Sequence, residues 1–236
     1  MEFDDWEPVY QAILADFGFP RAADERARDL LADLVAGAET LAPADLDFAG
    51  RTVAVAGGAS SLVDDRDPAE LDRARRADAV VAASDAASVL RTAGVTVDCM
   101  VTDLDEEGDV AVELTREGTP VAVHAHGDNE PAVRDRVPRL DHEAVVPTTQ
   151  AAPAGPVANP GGFTDGDRAA FLADACGAAG LVFVGWEFDD DAVGDLKRRK
   201  LVWAERLLRW LERRRGERFD VLAGRRDGID ESMLPG

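Results

Sequence analysis

Two aspartates separated by a single residue, Asp103 and Asp105, directly follow a short apolar run. The run, residues 97–101, is typical of a buried strand, so the aspartates fall in the turn where the chain leaves a sheet and can face a common point. In proteins Mg²⁺ is commonly held by one or two carboxylates, while phosphate oxygens and water complete its octahedron. The pair predicts a Mg²⁺ site for a phosphate-bearing substrate, although the same residues would also suit a solvated turn.

A second polar turn contains His124, His126, Asp128 and Asn129. Two histidines beside an aspartate could bind zinc, but no further nitrogen or sulfur ligand follows at a suitable spacing. Together with the two aspartates described above, Asp128 favours Mg²⁺ bound to a polyphosphate instead. His126 would then donate a hydrogen bond to a phosphate oxygen.

Two glycine-rich stretches could bind anions. Residues 57–61 (GGASS) follow an apolar run and would let backbone N–H groups approach a phosphate, with Ser60 and Ser61 as further donors. They lack the lysine of a Walker A loop, which excludes that type of nucleotide site. Residues 161–168 (GGFTDGDR) combine glycines, a capped helix start and Arg168 in the first helical turn, which suits an anion as well as an ordinary entry into a helix.

A regular alternation of short apolar runs with helices places these polar segments. Such a pattern predicts a mostly parallel α/β sheet with flanking helices. The predicted strands are residues 52–56, 79–83, 97–101, 120–124, 144–146 and 181–184. In a parallel sheet the turns that follow the strands lie at one edge, where ligands bind at the switch in strand order. The polar or glycine-rich turns after these strands therefore predict a binding site at that edge.

The chain is predicted to have an N-terminal helical segment before the α/β domain and a long helix after it. In the N-terminal segment, apolar residues recur at helical spacing over residues 6–17 and 22–36, with Gly18 as a stop. These helices would form either a dimer contact in a homo-oligomer or a lid over the site. The predicted segments are residues 1–47 (helical), 48–188 (α/β catalytic domain) and 189–236 (long helix and tail).

Further helices are predicted from capping residues and periodicity. Asp67 and Pro68 are expected to begin one helix, and Thr164 is expected to cap another over residues 166–175. After the sheet, the apolar spacing predicts a helix over residues 189–215. A weak strand is expected over residues 219–222.

The composition is strongly acidic, with a formal net charge of −21 and a sequence pI of about 4.4. This charge argues against nucleic-acid binding and suits a protein kept soluble in concentrated salt. The only lysines, Lys197 and Lys200, share one predicted helical face, which suggests either phosphate contact or solvation. Cys99 and Cys176 lie in apolar surroundings, where a disulfide framework is not expected. Without a signal peptide or an apolar run approaching roughly 18 residues, a cytoplasmic protein with no membrane contact is expected.

Several motifs together resemble the archaeal 6-hydroxymethyl-7,8-dihydropterin diphosphokinases, a family related in fold to thiamine diphosphokinase catalytic domains. The resemblance covers about residues 50–210 and implies a Rossmann-like α/β fold. It also implies a Mg²⁺-dependent enzyme that moves the β,γ-diphosphate of ATP to the pterin hydroxymethyl group and releases AMP, in tetrahydrofolate or methanopterin synthesis. The first glycine loop, GGASS, departs from the G-x-G-P-S form expected of the family. The motifs are residues 101–105 (VTDLD), 124–129 (HAHGDN), 148–150 (TTQ) and 161–168 (GGFTDGDR), with Lys197 and Lys200.

The resemblance and the residue chemistry together give a hypothesis for each group. The pterin has an amidine-like edge that a carboxylate can bind with two hydrogen bonds, and either Asp85 or Asp165 is the candidate. The residues expected to hold Mg²⁺ are Asp103, Asp105 and Asp128. Those expected to contact the ATP phosphates are Gly57, Gly58, Ser60, Ser61, His126, Asn129, Arg168, Lys197 and Lys200. Those expected near the pterin, besides the two candidate carboxylates, are Thr149, Gln150, Gly162 and Thr164.

Three other functions remain open at the level of sequence. A thiamine diphosphokinase would perform the same reaction on a different acceptor. A glycosyltransferase could use the D-x-D motif on a nucleotide sugar, but it would form no AMP and would leave HAHGDN unexplained. A non-catalytic nucleotide sensor would bind ATP without turnover.

Overall fold

Parallel strands form one central sheet, as the alternation of apolar runs and helices predicts. The structure, a computed structural model, describes residues 1–63, 69–105, 108–190 and 192–235, without the side chains of Ser60 and Val63. Within these ranges every strand pair is parallel, in the order β5-β4-β3-β2-β1-β6. The strands are β1 (Thr52–Ala56), β2 (Ala79–Ala83), β3 (Cys99–Thr102), β4 (Val121–Ala125), β5 (Val145–Thr149) and β6 (Gly180–Val184). The Rossmann-like α/β prediction is confirmed.

Helices cover both faces of the sheet. In β1, Val53 and Val55 face one apolar cluster, while Ala54 and Ala56 face the other. Burial on both faces explains why the strands are continuous apolar runs rather than alternating ones. The α-helices are α1 (Phe3–Phe17), α2 (Arg21–Leu34), α3 (Ala69–Arg76), α4 (Ala86–Thr92), α5 (Gly108–Arg116), α6 (Glu130–Arg136), α7 (Asp165–Ala175) and α8 (Asp195–Arg215).

The N-terminal helices are part of this core. In α1, Trp6 is 1% exposed, and its ring lies 6.2 Å from Phe171 of α7 and 6.4 Å from Trp210 of α8. Residue Gly18 ends α1 in the left-handed conformation, as expected of a glycine stop. Helix α2 packs on the opposite face of the sheet, against α6, β4 and β5. The two helices therefore lie on opposite faces of one sheet.

The chain reverses its direction across the sheet between β5 and β6. From β1 to β5 each new strand is added on one side, whereas β6 pairs with β1 on the other side. Helix α7 makes this crossing and packs against β1, β2 and β3. The switch in strand order lies between β1 and β6. No helix within the described ranges is long and apolar enough to cross a membrane.

Two sequence predictions about elements need correction. The weak strand predicted over residues 219–222 is wrong: Asp220–Leu222 is a 3₁₀ turn. The backbone of Phe219, directly before this turn, bonds to side chains instead of to a strand: Phe219 N donates to Glu212 Oε1 at 2.6 Å and Phe219 O accepts from Arg226 at 2.5 Å.

The second correction concerns α8, which begins at Asp195 rather than at residue 189. Asp190 accepts a hydrogen bond from Ala192 N at 2.8 Å, a local turn that competes with helix formation. Asp189 is paired instead with Arg225 of the tail. The expected helix start at Asp67 and Pro68 lies outside the described residues.

Candidate active site

A cleft of about 370 Å³ lies over the carboxyl ends of the strands. Residues that follow each of the six described strands line it, as the ligand rule for parallel α/β sheets leads one to expect. The wall also includes residues of α2 and of α8. The strand-end residues are Gly57 and Gly58 after β1, Asp85 after β2, Asp103 and Asp105 after β3, His126 and Asp128 after β4, Gln150 after β5, and Trp186 after β6.

The turn that carries Asp103 and Asp105 is fixed by its middle residue. Leu104 is fully buried and adopts a positive φ of 67°, which is uncommon for a residue with a branched side chain. Thr102 Oγ1 accepts from Leu104 N at 2.9 Å, and Asp103 Oδ1 accepts from Asp105 N at 3.2 Å. Burial of the leucine side chain thus turns the backbone so that both carboxylates reach the cleft.

Asn129 links this turn to the histidine turn. Its amide nitrogen donates to Asp103 O and to His124 O, both at 2.7 Å, and its oxygen accepts from His126 N at 2.9 Å. Because it is 1% exposed, Asn129 lies behind the cleft rather than in its wall. It holds the β3 and β4 turns together, which brings His126 Nε2 to 3.3 Å from Asp103 Oδ2.

The start of α7 places a guanidinium in the cleft. Asp167 accepts from Thr164 N at 3.0 Å and from the Thr164 hydroxyl at 2.6 Å, which caps the helix. Arg168, with a side chain only 6% exposed, donates to Asp165 Oδ1 at 2.9 Å and to Gln150 Oε1 at 3.3 Å. Its Nε has no partner among the described residues. The guanidinium has five N–H groups and makes these two hydrogen bonds, so further N–H groups remain for a ligand in the cleft.

The charges in the cleft shift one another's pKa. Burial alone would raise the pKa of Asp103, but the hydrogen bond with His126 and the charge of Arg168 outweigh it and hold that pKa below its ordinary range. Burial and the neighbouring Asp103 charge raise the pKa of Asp105. Burial and the nearby Arg168 charge lower the pKa of Lys200. Asp103 is therefore ionised throughout the neutral range.

Asp165 behaves differently, because burial and the Asp103 charge raise its pKa to about 7 despite the ion pair with Arg168. At pH values between the pKa of Asp165 in the unfolded protein and its pKa in the folded protein, Asp165 is protonated only in the folded protein. The free energy of unfolding therefore falls as the pH rises through this range. Asp165→Asn should therefore gain stability relative to the wild type from about pH 5 to about pH 8, by at least about 1 kcal/mol.

The measurement is the difference in free energy of unfolding between Asp165→Asn and wild type at each pH, without ligands and at constant salt. Groups that both proteins share, such as buried His124 with its lowered pKa, cancel in this difference. A difference that is flat with pH, or that falls, would contradict the raised pKa of Asp165.

Most of the site residues expected from the sequence meet at this cleft. Four do not line it: Ser61, Gly162, Asn129, as described, and Thr149, whose hydroxyl donates to Ala125 O at 3.2 Å. The Ser60 side chain lies outside the described residues. The expected residues that line it are Gly57, Gly58, Asp85, Asp103, Asp105, His126, Asp128, Gln150, Thr164, Asp165, Arg168, Lys197 and Lys200.

Sequence reasoning missed the wall contributed by the N-terminal segment. Phe19, Ala23 and Asp24 line the cleft, and Asp24 is only 3% exposed. One signal was present: Asp24 precedes Ala27 and Leu31 at helical spacing, so a carboxylate occupies the buried face of α2. An aspartate on the buried face of a helix is unusual, because aspartates that serve only to solvate a helix lie on its exposed face.

The first glycine loop makes a close backbone approach. A Cβ at Gly57 would lie 2.7 Å from Gly185 O, whereas one at Gly58 would meet nothing within 4 Å among the described residues. Gly57→Ala should therefore lower the free energy of unfolding by about 1–3 kcal/mol. Gly58→Ala is the matched control and should change it little. Urea unfolding of both variants tests this, and equal effects would contradict the close approach.

The fold and the cleft together define an α/β protein with a ligand site at the carboxyl edge of a parallel sheet, walled by carboxylates and cations. Residues 30–192 match the family described as "6-hydroxymethylpterin diphosphokinase MptE-like". The chain belongs to this family. The expectation from the sequence motifs, that the protein is an enzyme of the diphosphokinase type, is confirmed by this match and by the relatives described next.

Three archaeal proteins named 6-hydroxymethyl-7,8-dihydropterin pyrophosphokinase are similar to this chain. The one from Methanothermobacter thermautotrophicus is 39% identical over 230 residues, which cover 90% of this chain and 96% of the relative. Those from Pyrococcus furiosus and Methanocaldococcus jannaschii are 33% and 30% identical, over 90% of this chain and 95% and 96% of the relatives. The similarity thus extends to the N-terminal segment, beyond the motifs of the central domain.

Proposed function

We propose that this protein transfers the β,γ-diphosphate of ATP to the hydroxymethyl group of 6-hydroxymethyl-7,8-dihydropterin, giving AMP and the pterin diphosphate. The family and the names of the three relatives support the acceptor and the type of reaction. The observation that carries the proposal is the meeting of Asp103, Asp105 and Asp128 with Arg168 and Lys200 in one cleft. The product would serve tetrahydrofolate or methanopterin synthesis.

Mg²⁺ is the metal that the cleft suits. No group of three or more His, Cys, Asp or Glu side chains able to hold a metal is already assembled within the described ranges. Asp103 and Asp105 nevertheless fit a Mg²⁺ ion, which needs only one or two protein carboxylates beside phosphate oxygens. Repulsion from Asp103 contributes to the raised pKa of Asp105, and a divalent cation would relieve it. When bound, Mg²⁺ would neutralise phosphate charge, with Asp128 in the same wall.

The cationic residues would position and stabilise the transferred group. Diphosphoryl transfer asks the protein for in-line positioning and charge stabilisation rather than covalent chemistry. The guanidinium of Arg168 lines the cleft, and Lys197 and Lys200 line it from α8. His126 carries its N–H on Nε2, which lies 3.3 Å from Asp103 Oδ2, because Nδ1 accepts from Asp128 N. It would donate that N–H to a phosphate oxygen once Asp103 binds the metal. These residues would offset the charge that develops on the leaving AMP.

The two ends of the cleft differ in chemistry and suggest where each substrate lies. Gly57 and Gly185 mark the end at the β1–β6 switch, where nucleotides bind in sheets of this kind. Towards β4 and β5 the cleft is walled by α2, and its lining there includes the rings of Phe19 and Phe163 and the amide of Gln150. An apolar wall with one amide suits a flat heterocycle, so we place ATP at the first end and the pterin at the second.

The two candidate carboxylates for the pterin edge lie in different surroundings. Asp165 is paired with Arg168 near the centre of the cleft. Asp85 is exposed and follows β2, beside the strand that carries the first glycine loop. Asp165 is thus the better placed of the two to meet a pterin at the α2 end.

The test is product analysis with ATP, Mg²⁺ and 6-hydroxymethyl-7,8-dihydropterin in a high-salt buffer. The expected result is AMP formed in equal amount with a pterin diphosphate, and loss of both when Mg²⁺ is chelated. Formation of ADP would mean transfer of a single phosphoryl group and would overturn the proposal. Turnover of thiamine but not of the pterin would show that thiamine is the acceptor and would overturn this part of the proposal. ATP binding without AMP formation would favour a nucleotide sensor.

A further inference from the structure

Asp24 of α2 receives hydrogen bonds from three separate parts of the chain. The Tyr10 hydroxyl of α1 donates to its Oδ2 at 2.8 Å, and Gln150 Nε2 donates to the same oxygen at 2.9 Å. Gly127 N, in the turn after β4, donates to Oδ1 at 2.7 Å. All three donors are uncharged. Burial of a carboxylate costs free energy unless the group is well hydrogen-bonded. An apolar residue at position 24 would avoid this cost, so the three hydrogen bonds point to a specific role for the carboxylate.

The bond to Gln150 determines which atom of its amide faces the centre of the cleft. Because Nε2 donates to Asp24, Oε1 is turned the other way and accepts from Arg168 at 3.3 Å. The guanidinium of Arg168 also donates a hydrogen bond to Asp165. A chain of hydrogen bonds therefore runs from the N-terminal segment to the buried cation of the site. If the amide of Gln150 were reversed, its NH₂ group would face the N–H groups of Arg168.

The bond to Gly127 connects α2 with the histidine turn. A Cβ at Gly127 would lie 2.5 Å from the Cβ of Ala23, so the first turn of α2 packs directly on this backbone. Gly127 lies between His126 and Asp128, which both line the cleft. The same carboxylate is thus bound to both the β4 turn and the β5 turn.

We infer that Asp24 is a positioning residue of this enzyme, which holds the Gln150 amide so that its oxygen anchors Arg168. Asp24 acts through Gln150 and Gly127. The N-terminal segment is then a fixed part of the site instead of a movable lid. The inference rests on the proposed function for its kinetic test, but the orientation of Arg168 can also be followed through ATP binding alone.

The experiment exchanges the carboxylate of Asp24 and the amide of Gln150 between the two positions. Asp24→Asn places an NH₂ group against Gln150 and should turn the Gln150 amide, so that Arg168 loses its acceptor. We expect kcat/KM for the pterin to fall by about 10- to 100-fold, with the fold intact. The double variant Asp24→Asn/Gln150→Glu supplies a carboxylate at position 150 that can accept from both the new amide at position 24 and the guanidinium of Arg168. It should regain at least about fivefold of the lost kcat/KM.

Asp33→Asn is the matched control, because Asp33 is an exposed residue of the same helix and does not line the cleft. A general loss of folding would lower the active fraction in the single and the double variant alike, so the recovery is the decisive readout. The inference is overturned if Asp24→Asn stays within about twofold of wild type or if the double variant regains nothing.

Calorimetric titration with ATP and Mg²⁺ separates this inference from the proposed function. If wild type makes no pterin diphosphate, the proposed acceptor fails, and the same single, double and control variants are then compared by Kd for ATP. We expect about a 5- to 10-fold weaker Kd in Asp24→Asn and recovery in the exchange variant. An unchanged Kd together with unchanged turnover removes the role of Asp24, whichever acceptor is correct.

Discussion

Asp103→Asn is expected to lower kcat for AMP formation by about 10²–10³-fold or more while the protein stays folded. The hydrogen bond with His126 and the charge of Arg168 keep the pKa of Asp103 low against the effect of burial, so the group is a permanent anion in the cleft. Asparagine keeps the size and one oxygen but removes that charge. It would weaken Mg²⁺ binding and leave His126 and Arg168 without their shared counter-charge.

The measurement is the initial rate of AMP formation at saturating ATP over a range of Mg²⁺ concentrations, with the melting temperature of each variant as a check. Asp47→Asn is the control, because the Asp47 side chain is 93% exposed, pairs with Arg51 just before β1 and does not line the cleft. Asp103→Asn should need more Mg²⁺ and still not reach the wild-type rate. Full activity of this variant would rule out Asp103 as a metal ligand.

The sheet and the edge that binds ligands could be predicted from the sequence because parallel strands that are buried on both faces consist of continuous apolar runs. Runs such as residues 52–56 and 79–83 are almost wholly apolar, and the structure has strands with the same bounds. Each run is followed at once by polar or glycine-rich residues, and parallel pairing brings all of these to one edge. At β5 the expected strand ended before Pro147, but the observed strand continues because proline is tolerated at a sheet edge.

The direction of individual polar side chains could not be predicted in the same way. In HAHGDN, His126 and Asp128 line the cleft, whereas Asn129 turns inward to bond Asp103 O and His124 O. That choice depends on the neighbouring β3 turn, which local sequence does not reveal. The wall provided by α2 depends likewise on a contact between Ala23 and Gly127, more than a hundred residues apart in the chain.

The second large effect is expected at Arg168, the buried cation of the cleft. Arg168→Gln should lower kcat by about 10²–10³-fold, because a neutral amide cannot stabilise the charge that develops on the transferred group. Arg168→Lys keeps a charge but cannot bind Asp165 and Gln150 together as a planar guanidinium does. It should therefore recover only part of the lost rate.

A loss of rate in Arg168→Gln could also follow from a damaged fold, since removal of one partner of a buried ion pair is destabilising. The double variant Asp165→Asn/Arg168→Gln separates the two causes. With no carboxylate left unpaired at position 165, its melting temperature should return towards that of the wild type. Its kcat at saturating pterin should stay as low as that of Arg168→Gln and below that of Asp165→Asn alone, which removes only the candidate pterin carboxylate. Recovery of both stability and rate would show that Arg168 serves only to pair with Asp165, and would remove its charge from the mechanism.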